Sequence, residues 1–166
     1  MERIYGAIAA FVLGLLALAQ VTGMGSGAFD WYNNSRLVSN VSSVQTAARG
    51  QFMQGSNGYT NFTTANAAAL ITAGIIPAGW VKGGAIVDNW GNNVTLASAS
   101  NATIGSITFG GGNTETVQNC GKVVNNLGDY VSVVVGGKTF TQASPPDAVT
   151  ATAACQVALS ITVNFQ

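Results

Sequence analysis

The spacing of apolar residues changes character several times along the chain. From residues 4 to 19 it is continuous: Ile-Tyr-Gly-Ala-Ile-Ala-Ala-Phe-Val-Leu-Gly-Leu-Leu-Ala-Leu-Ala, with no charge. Such a stretch forms a helix that is apolar all round, as suits a membrane or a protein interior. Gly23, Gly25 and Gly27 follow, each weakening a helix by roughly 1 kcal/mol relative to alanine, which predicts a break. Helical rhythm then resumes. Leu37, Val41, Val44 and Ala48 fall at i, i+4, i+7 and i+11 and predict an amphipathic helix from about residue 29 to residue 52. Ser35, Asn40, Ser43 and Gln45 are expected to face away from that stripe.

Residues 63–73 read as a short alanine-rich helix, with Thr63 or Thr64 as cap and Gly74 at the stop. Pro77 forbids continuation. Strands are predicted near residues 85–87, 93–96 and 104–109. Thr114 to Leu127 reads as a helix whose Val117, Cys120, Val124 and Leu127 share a face, ended by Gly128. Residues 130–135 form a strand, and Gly136-Gly137 turns the chain into residues 138–141. The clearest strand is the last. Val157, Leu159, Ile161, Val163 and Phe165 alternate with polar or small residues, the pattern of a strand with one wet face.

Helices first and strands largely apart from them predict an α+β fold: a long N-terminal helix packed on an antiparallel sheet. Residues 1–28 form an apolar segment with its glycine break. Residues 29–166 form the globular domain, including the second half of the long helix.

Residues 4–19 alone admit three readings. Ala17-Leu18-Ala19 before Gln20 resembles a signal-peptide cleavage site, but Glu2 cancels Arg3 and leaves no basic excess at the start. As a membrane span the run is short, rising roughly 24 Å against a hydrocarbon core of about 30 Å. As a packing spine, its small residues allow neighbouring helices to approach closely.

Composition narrows the chemistry. Only 7% of residues are charged, and six acidic and six basic residues cancel. That removes the electrostatic case for nucleic acid. A neutral surface rich in amides and hydroxyls suits packing against copies of itself, since each buried charge needs a partner. With no histidine, the usual general base and metal ligand are missing. The carboxylates Glu2, Asp30, Asp88, Glu115, Asp129 and Asp147 are scattered, and no catalytic, metal-binding or cofactor-binding motif appears. Gly110-Gly111-Gly112 reads as a plain loop. Trp31, Trp80 and Trp90 are expected in the core or at a subunit contact. Cys120 and Cys155 favour one disulfide, with two buried thiols as the alternative.

Several segments taken together resemble type IVb pilins of the PilS-like group, the major subunits of thin conjugative pili. Residues 70–77 (Leu-Ile-Thr-Ala-Gly-Ile-Ile-Pro) are similar to the segment after the long helix. Residues 88–95 (Asp-Asn-Trp-Gly-Asn-Asn-Val-Thr) are similar to a tryptophan-glycine motif entering a strand. Cys120 on a helix and Cys155 before the last strand resemble the C-terminal disulfide loop. The resemblance implies the type IV pilin fold, no enzyme activity and no cofactor. It also implies an extracellular filament of identical subunits for cell–cell contact, adhesion or conjugation. A prepilin peptidase would expose Met1 as the mature first residue, and assembly machinery would draw subunits from the inner membrane. Met1, Glu2 and Arg3 would then take part in assembly. Ile4, Ile8, Phe11, Val12, Leu15, Leu16 and Leu18 would pack the filament core, and Gly23, Gly25 and Gly27 would allow the helix to melt. One departure stands out: the family usually places a glutamate at position 5, where this chain has Tyr5 and Glu2 is the only nearby acid. Glu2 either pairs with Arg3 or an N-terminal amine, or stays at the membrane interface. The alternatives for the whole chain are a minor pilin or pseudopilin, and a secreted binding module with a cleaved signal.

Overall fold

Leu37, Val41, Val44 and Ala48 are at most 1% exposed along one side of helix α1, residues 30–52, so the apolar rhythm marks the buried face. The computed structural model describes residues 30–166. Met1, Glu2, Arg3, the packing positions Ile4, Ile8, Phe11, Val12, Leu15, Leu16 and Leu18, and the glycines Gly23, Gly25 and Gly27 lie outside the described residues. Among the described residues no helix is long and apolar enough to cross a membrane. Contacts divide the chain into Met1–Asn33 and Asn34–Gln166; the second unit carries the sheet and the core.

Helix α2 (Ala67–Thr72) follows 3₁₀ turns at Gly58–Asn61 and Thr64–Asn66. A two-stranded hairpin, β1 (Val81–Lys82) with β2 (Ala85–Ile86), comes next. The main sheet is built from β3 (Thr95–Ala99), β4 (Ile104–Phe109), β5 (Ser132–Val135), β6 (Lys138–Thr141) and β7 (Ile161–Phe165). Helix α3 (Val117–Asn126) lies between β4 and β5 in sequence, and α4 (Ala148–Val157) between β6 and β7. The order across the sheet is β3-β4-β7-β5-β6, with neighbours antiparallel. The last strand in sequence is thus the central one. Ile161, Val163 and Phe165 point to the core at 0% exposure, and Thr162 and Asn164 lie on the wetter face.

The α1 stripe and the inward faces of β4, β5 and β7 contribute to one buried cluster. Its aromatic end brings Phe165 within 5.4 Å of Tyr59 and 5.6 Å of Phe62, both edge-on. Gly105 in β4 permits this, because a Cβ there would lie 2.7 Å from the Phe165 ring. Burial pushes the Tyr59 phenol up, a rise that the nearby Arg49 guanidinium tempers. Arg49 lies 5.7 Å from the Phe165 ring centroid and donates to the carbonyls of Gln166 and Asp129.

Several local expectations fail. Gln45 is buried rather than solvent-facing, at 1% exposure; it follows Val41 by four residues and so joins the same face, donating to the Asp129 carbonyl. Neither Thr63 nor Thr64 caps the short helix. Thr64 instead accepts from the Leu96 amide at 2.7 Å and donates to its carbonyl, tying the helix entry to β3. Gly74 does end α2 as expected, at φ +73°. Its amide reaches the Ile71 carbonyl while that of Ile75 reaches Leu70, a Schellman closure. Strand β1 was not anticipated. The strand expected over 93–96 begins two residues later, because Asn93 makes only an isolated bridge to Val87. Helix α3 starts at Val117, capped by Thr116 accepting from the Asn119 amide. It ends before Gly128: Leu127 is already extended, and Asp129 takes the left-handed turn at φ +53°.

The largest correction concerns the last strand. It starts at Ile161, and Val157 belongs to α4. Asp147 opens α4 with a capping box, accepting from the Val149 and Thr150 amides while Thr150 reaches back. These bonds, that of Thr150 foremost, hold the Asp147 carboxyl below its ordinary range. The cap therefore persists above the unfolded carboxylate range and is lost as pH falls through the lowered value.

Candidate functional site

Asp88 and Glu115, distant in sequence, are brought into one polar cluster at 0% and 5% exposure. The cluster is built from two loops. Between β2 and β3, Asp88 Oδ1 accepts from the Trp90 and Asn92 amides at 2.8 and 2.9 Å. Its Oδ2 accepts from the Gly110 amide, just after β4, at 2.8 Å. Glu115 Oε1 accepts from the next amide, Gly111. Its Oε2 accepts from Asn92 Nδ2 at 3.0 Å and from the Thr114 amide at 3.1 Å. Gly110 and Gly111 lie at φ +72° and +86°, a backbone shape that turns consecutive N–H groups toward the carboxylates. Gly112 has no room for a side chain, since a Cβ would lie 1.9 Å from Asn92 Oδ1. The glycine run is therefore a donor set and not merely a loop.

The network continues to the helices. Trp90 Nε1 donates to Asn34 Oδ1 on α1 at 3.2 Å, and Asn34 Nδ2 donates to Asn119 Oδ1 on α3 at 3.1 Å. Asn89 Oδ1 accepts from Asn40 on α1 and from the indole of buried Trp80. The tryptophan-glycine segment thus clasps α1, α3 and the end of β4 together. Chemically, the carboxylates hold backbone: their oxygens meet N–H and hydroxyl donors inside the fold. Among the described residues no group of His, Cys, Asp and Glu could hold a metal ion. Replacing Asp88 by asparagine should lower stability by roughly 2–3 kcal/mol, because an NH₂ would face amide donors and leave at least one orphaned. Chemical denaturation checks this; a loss within about 0.5 kcal/mol, ordinary for a surface position, contradicts the clasp.

Cys120 and Cys155 form a disulfide, which joins α3 to α4. Cys155 sits on α4 and, as expected, precedes the last strand, β7. Close approach of the two helices is allowed by Gly121, where a Cβ would lie 2.7 Å from Thr152 Oγ1. Of the tryptophans, Trp80 is buried, Trp90 is partly buried in the polar clasp, and Trp31 is exposed. Sequence reasoning missed the pairing of Asp88 with Glu115. The available signal was two carboxylates within a few residues of glycine-rich segments in a chain with few charges.

The PilS N-terminal family matches residues 31–165. Among solved structures, the chain is similar to a type IVb pilin from Salmonella typhi. The TM-score is 0.61 at 17% identity, covering 80% of this chain and 99% of the other. It is also similar to TcpA, a type IV pilin from the Vibrio cholerae El Tor biotype. There the TM-score is 0.52 at 18% identity, covering 81% of this chain and 98% of the other. At these identities the two structures bear on the fold. No curated protein matches the chain.

Proposed function

Because the chain belongs to the PilS family of type IVb pilins, we propose that it is the major subunit of a type IVb pilus. In this reading it polymerises into an extracellular filament used for cell–cell contact, adhesion or conjugation. The observation that carries the reading is the family match from residue 31 to residue 165, over nearly the whole domain described above. The fold supports it, with α1 laid on a five-stranded antiparallel sheet and the Cys120–Cys155 staple. So does a chain of which only 7% is charged, because few charges are stranded when copies pack together.

Residues 1–28 supply the other half of the proposal. Before assembly they hold the subunit in the inner membrane, after processing by a prepilin peptidase. In the filament, Ile4, Ile8, Phe11, Val12, Leu15, Leu16 and Leu18 pack against neighbouring copies. Gly23, Gly25 and Gly27 let the helix loosen, and Met1, Glu2 and Arg3 form the assembly end. Electron micrographs of cells expressing the chain with its assembly machinery should show thin filaments that label with antibody to residues 29–166. Deleting residues 1–28 should leave a soluble domain that runs as a monomer in light scattering. Filaments formed by that fragment would overturn the spine assignment.

A further inference from the structure

Asn57-Gly58 is the only asparagine–glycine step in the chain. Every other exposed asparagine is followed by a residue with a side chain, as Asn101 is by Ala102. Such a side chain shields the amide nitrogen that follows the asparagine, and glycine leaves it bare. Asn57 is exposed, and its side chain caps nothing. The fold requires the glycine beside it. Gly58 lies at φ +48°, and a Cβ there would sit 2.3 Å from the Ala102 carbonyl oxygen. The next amide, that of Tyr59, donates to this same oxygen at 2.7 Å. The bond fastens the aromatic end of the core to the β3–β4 turn. That turn is itself strained, with Ser100, Asn101 and Ala102 at φ +51°, +56° and +66°, a left-handed backbone that costs non-glycine residues energy.

We infer that Asn57 is a site of spontaneous isoaspartate formation, and that the product unfastens Tyr59 from the β3–β4 turn. The Gly58 amide nitrogen gives its proton to water or hydroxide and bonds to Asn57 Cγ. The bond from Cγ to the side-chain nitrogen breaks, and that nitrogen leaves as ammonia. Water then opens the succinimide ring. Attack at Cγ gives aspartate; attack at the former main-chain carbonyl gives isoaspartate. Water enters and ammonia departs, and nothing is oxidised or reduced. In isoaspartate the main chain runs through Cβ and Cγ and is one carbon longer. The old carbonyl, which accepts from the Thr60 amide at 3.3 Å and from Thr60 Oγ1 at 2.6 Å, becomes a free carboxylate. Gly58 lies hard against Ala102, so the extra carbon displaces the Tyr59 amide from its partner. The fold sets the pace. Asn57 ψ is −5°, and ring closure needs it to rotate until the Gly58 nitrogen faces Cγ. The Gly58 amide is held against that rotation by a long bond to the Gly55 carbonyl, 3.4 Å. Brief openings of this exposed loop therefore suffice.

The test uses the full chain, purified in detergent and held in mildly alkaline buffer. Peptide mapping by mass spectrometry should find residue 57 losing its amide at least about tenfold faster than any other asparagine. An isoaspartyl methyltransferase with a labelled methyl donor should mark the same peptide. Asn57→Gln should remove both signals there. The isoaspartate fraction, separated by chromatography, should show faster hydrogen exchange at residues 58–62 and 100–103. Asn57→Asp carries the added charge without the extra carbon and should keep wild-type exchange at those residues. Amide loss at residue 57 no faster than elsewhere overturns the site. Wild-type exchange in the isoaspartate fraction, or equal loosening by Asn57→Asp, overturns the unfastening. None of these readouts depends on polymerisation.

Discussion

Removing Ile161–Gln166 is expected to leave a chain that does not fold. The segment contains β7, which pairs with β4 on one side and β5 on the other. Without it the five-stranded sheet falls into two hairpins, β3-β4 and β5-β6, and isolated hairpins are marginal in water. The loss also opens the core, because Ile161, Val163 and Phe165 are all 0% exposed. Truncating core side chains of this size costs roughly 2–5 kcal/mol each, against a total stability of about 5–15 kcal/mol for a typical domain. The Arg49 contact to the Gln166 carbonyl goes as well. Circular dichroism and a thermal scan check the result; a cooperative transition near that of the intact domain contradicts it. Phe165→Ala gives a graded version. It should lower stability by about 3–5 kcal/mol, since the ring meets Tyr59, Phe62 and Gly105.

Replacing both Cys120 and Cys155 by alanine should be nearly as severe. The bond links residues 35 apart, and closing a loop of that size contributes roughly 3–4 kcal/mol in the chain-entropy model. The effect should be concentrated in α4. That helix carries β-branched Val149, Thr150, Thr152 and Val157, which favour helix only weakly, and it is held by its cap and by α3. Around it, Gly136 at φ +56° leaves no space, since a Cβ would meet the Ala154 carbonyl at 2.0 Å. Loosening α4 should therefore loosen the β5-β6 turn. Hydrogen exchange should show residues 148–157 and 132–141 losing protection before β3 and β4. A denaturation midpoint unchanged from wild type, with the same slope, would show that packing alone holds α4.

What was legible in the sequence was wherever one face of a regular element is buried along its length. The α1 stripe, β4 and the Gly136-Gly137 turn were read closely, because period and turn chemistry are local signals. Gln45 was misread since a face in the middle of a domain is wider than one stripe. Over residues 148–156 the sequence raises no expectation, because the β-branched Val149, Thr150 and Thr152 of α4 favour helix only weakly, and its last residue, Val157, alternates with the apolar residues after it. Thr63 and Thr64 both look like caps in the sequence, because the actual partner of Thr64, the backbone of Leu96, is 32 residues away.

By itself, the sequence determined the family, the α+β class and the neutral, charge-poor character of the chain. These depend on composition, periodicity and short motifs. Only the tertiary structure decided that the last strand occupies the middle of the sheet, that Cys120 and Cys155 join two helices, and that Asp88 and Glu115 share the amides of one glycine run. Each of these is a contact between distant segments. Its free energy appears only after the loops between them have closed, so no local pattern encodes it.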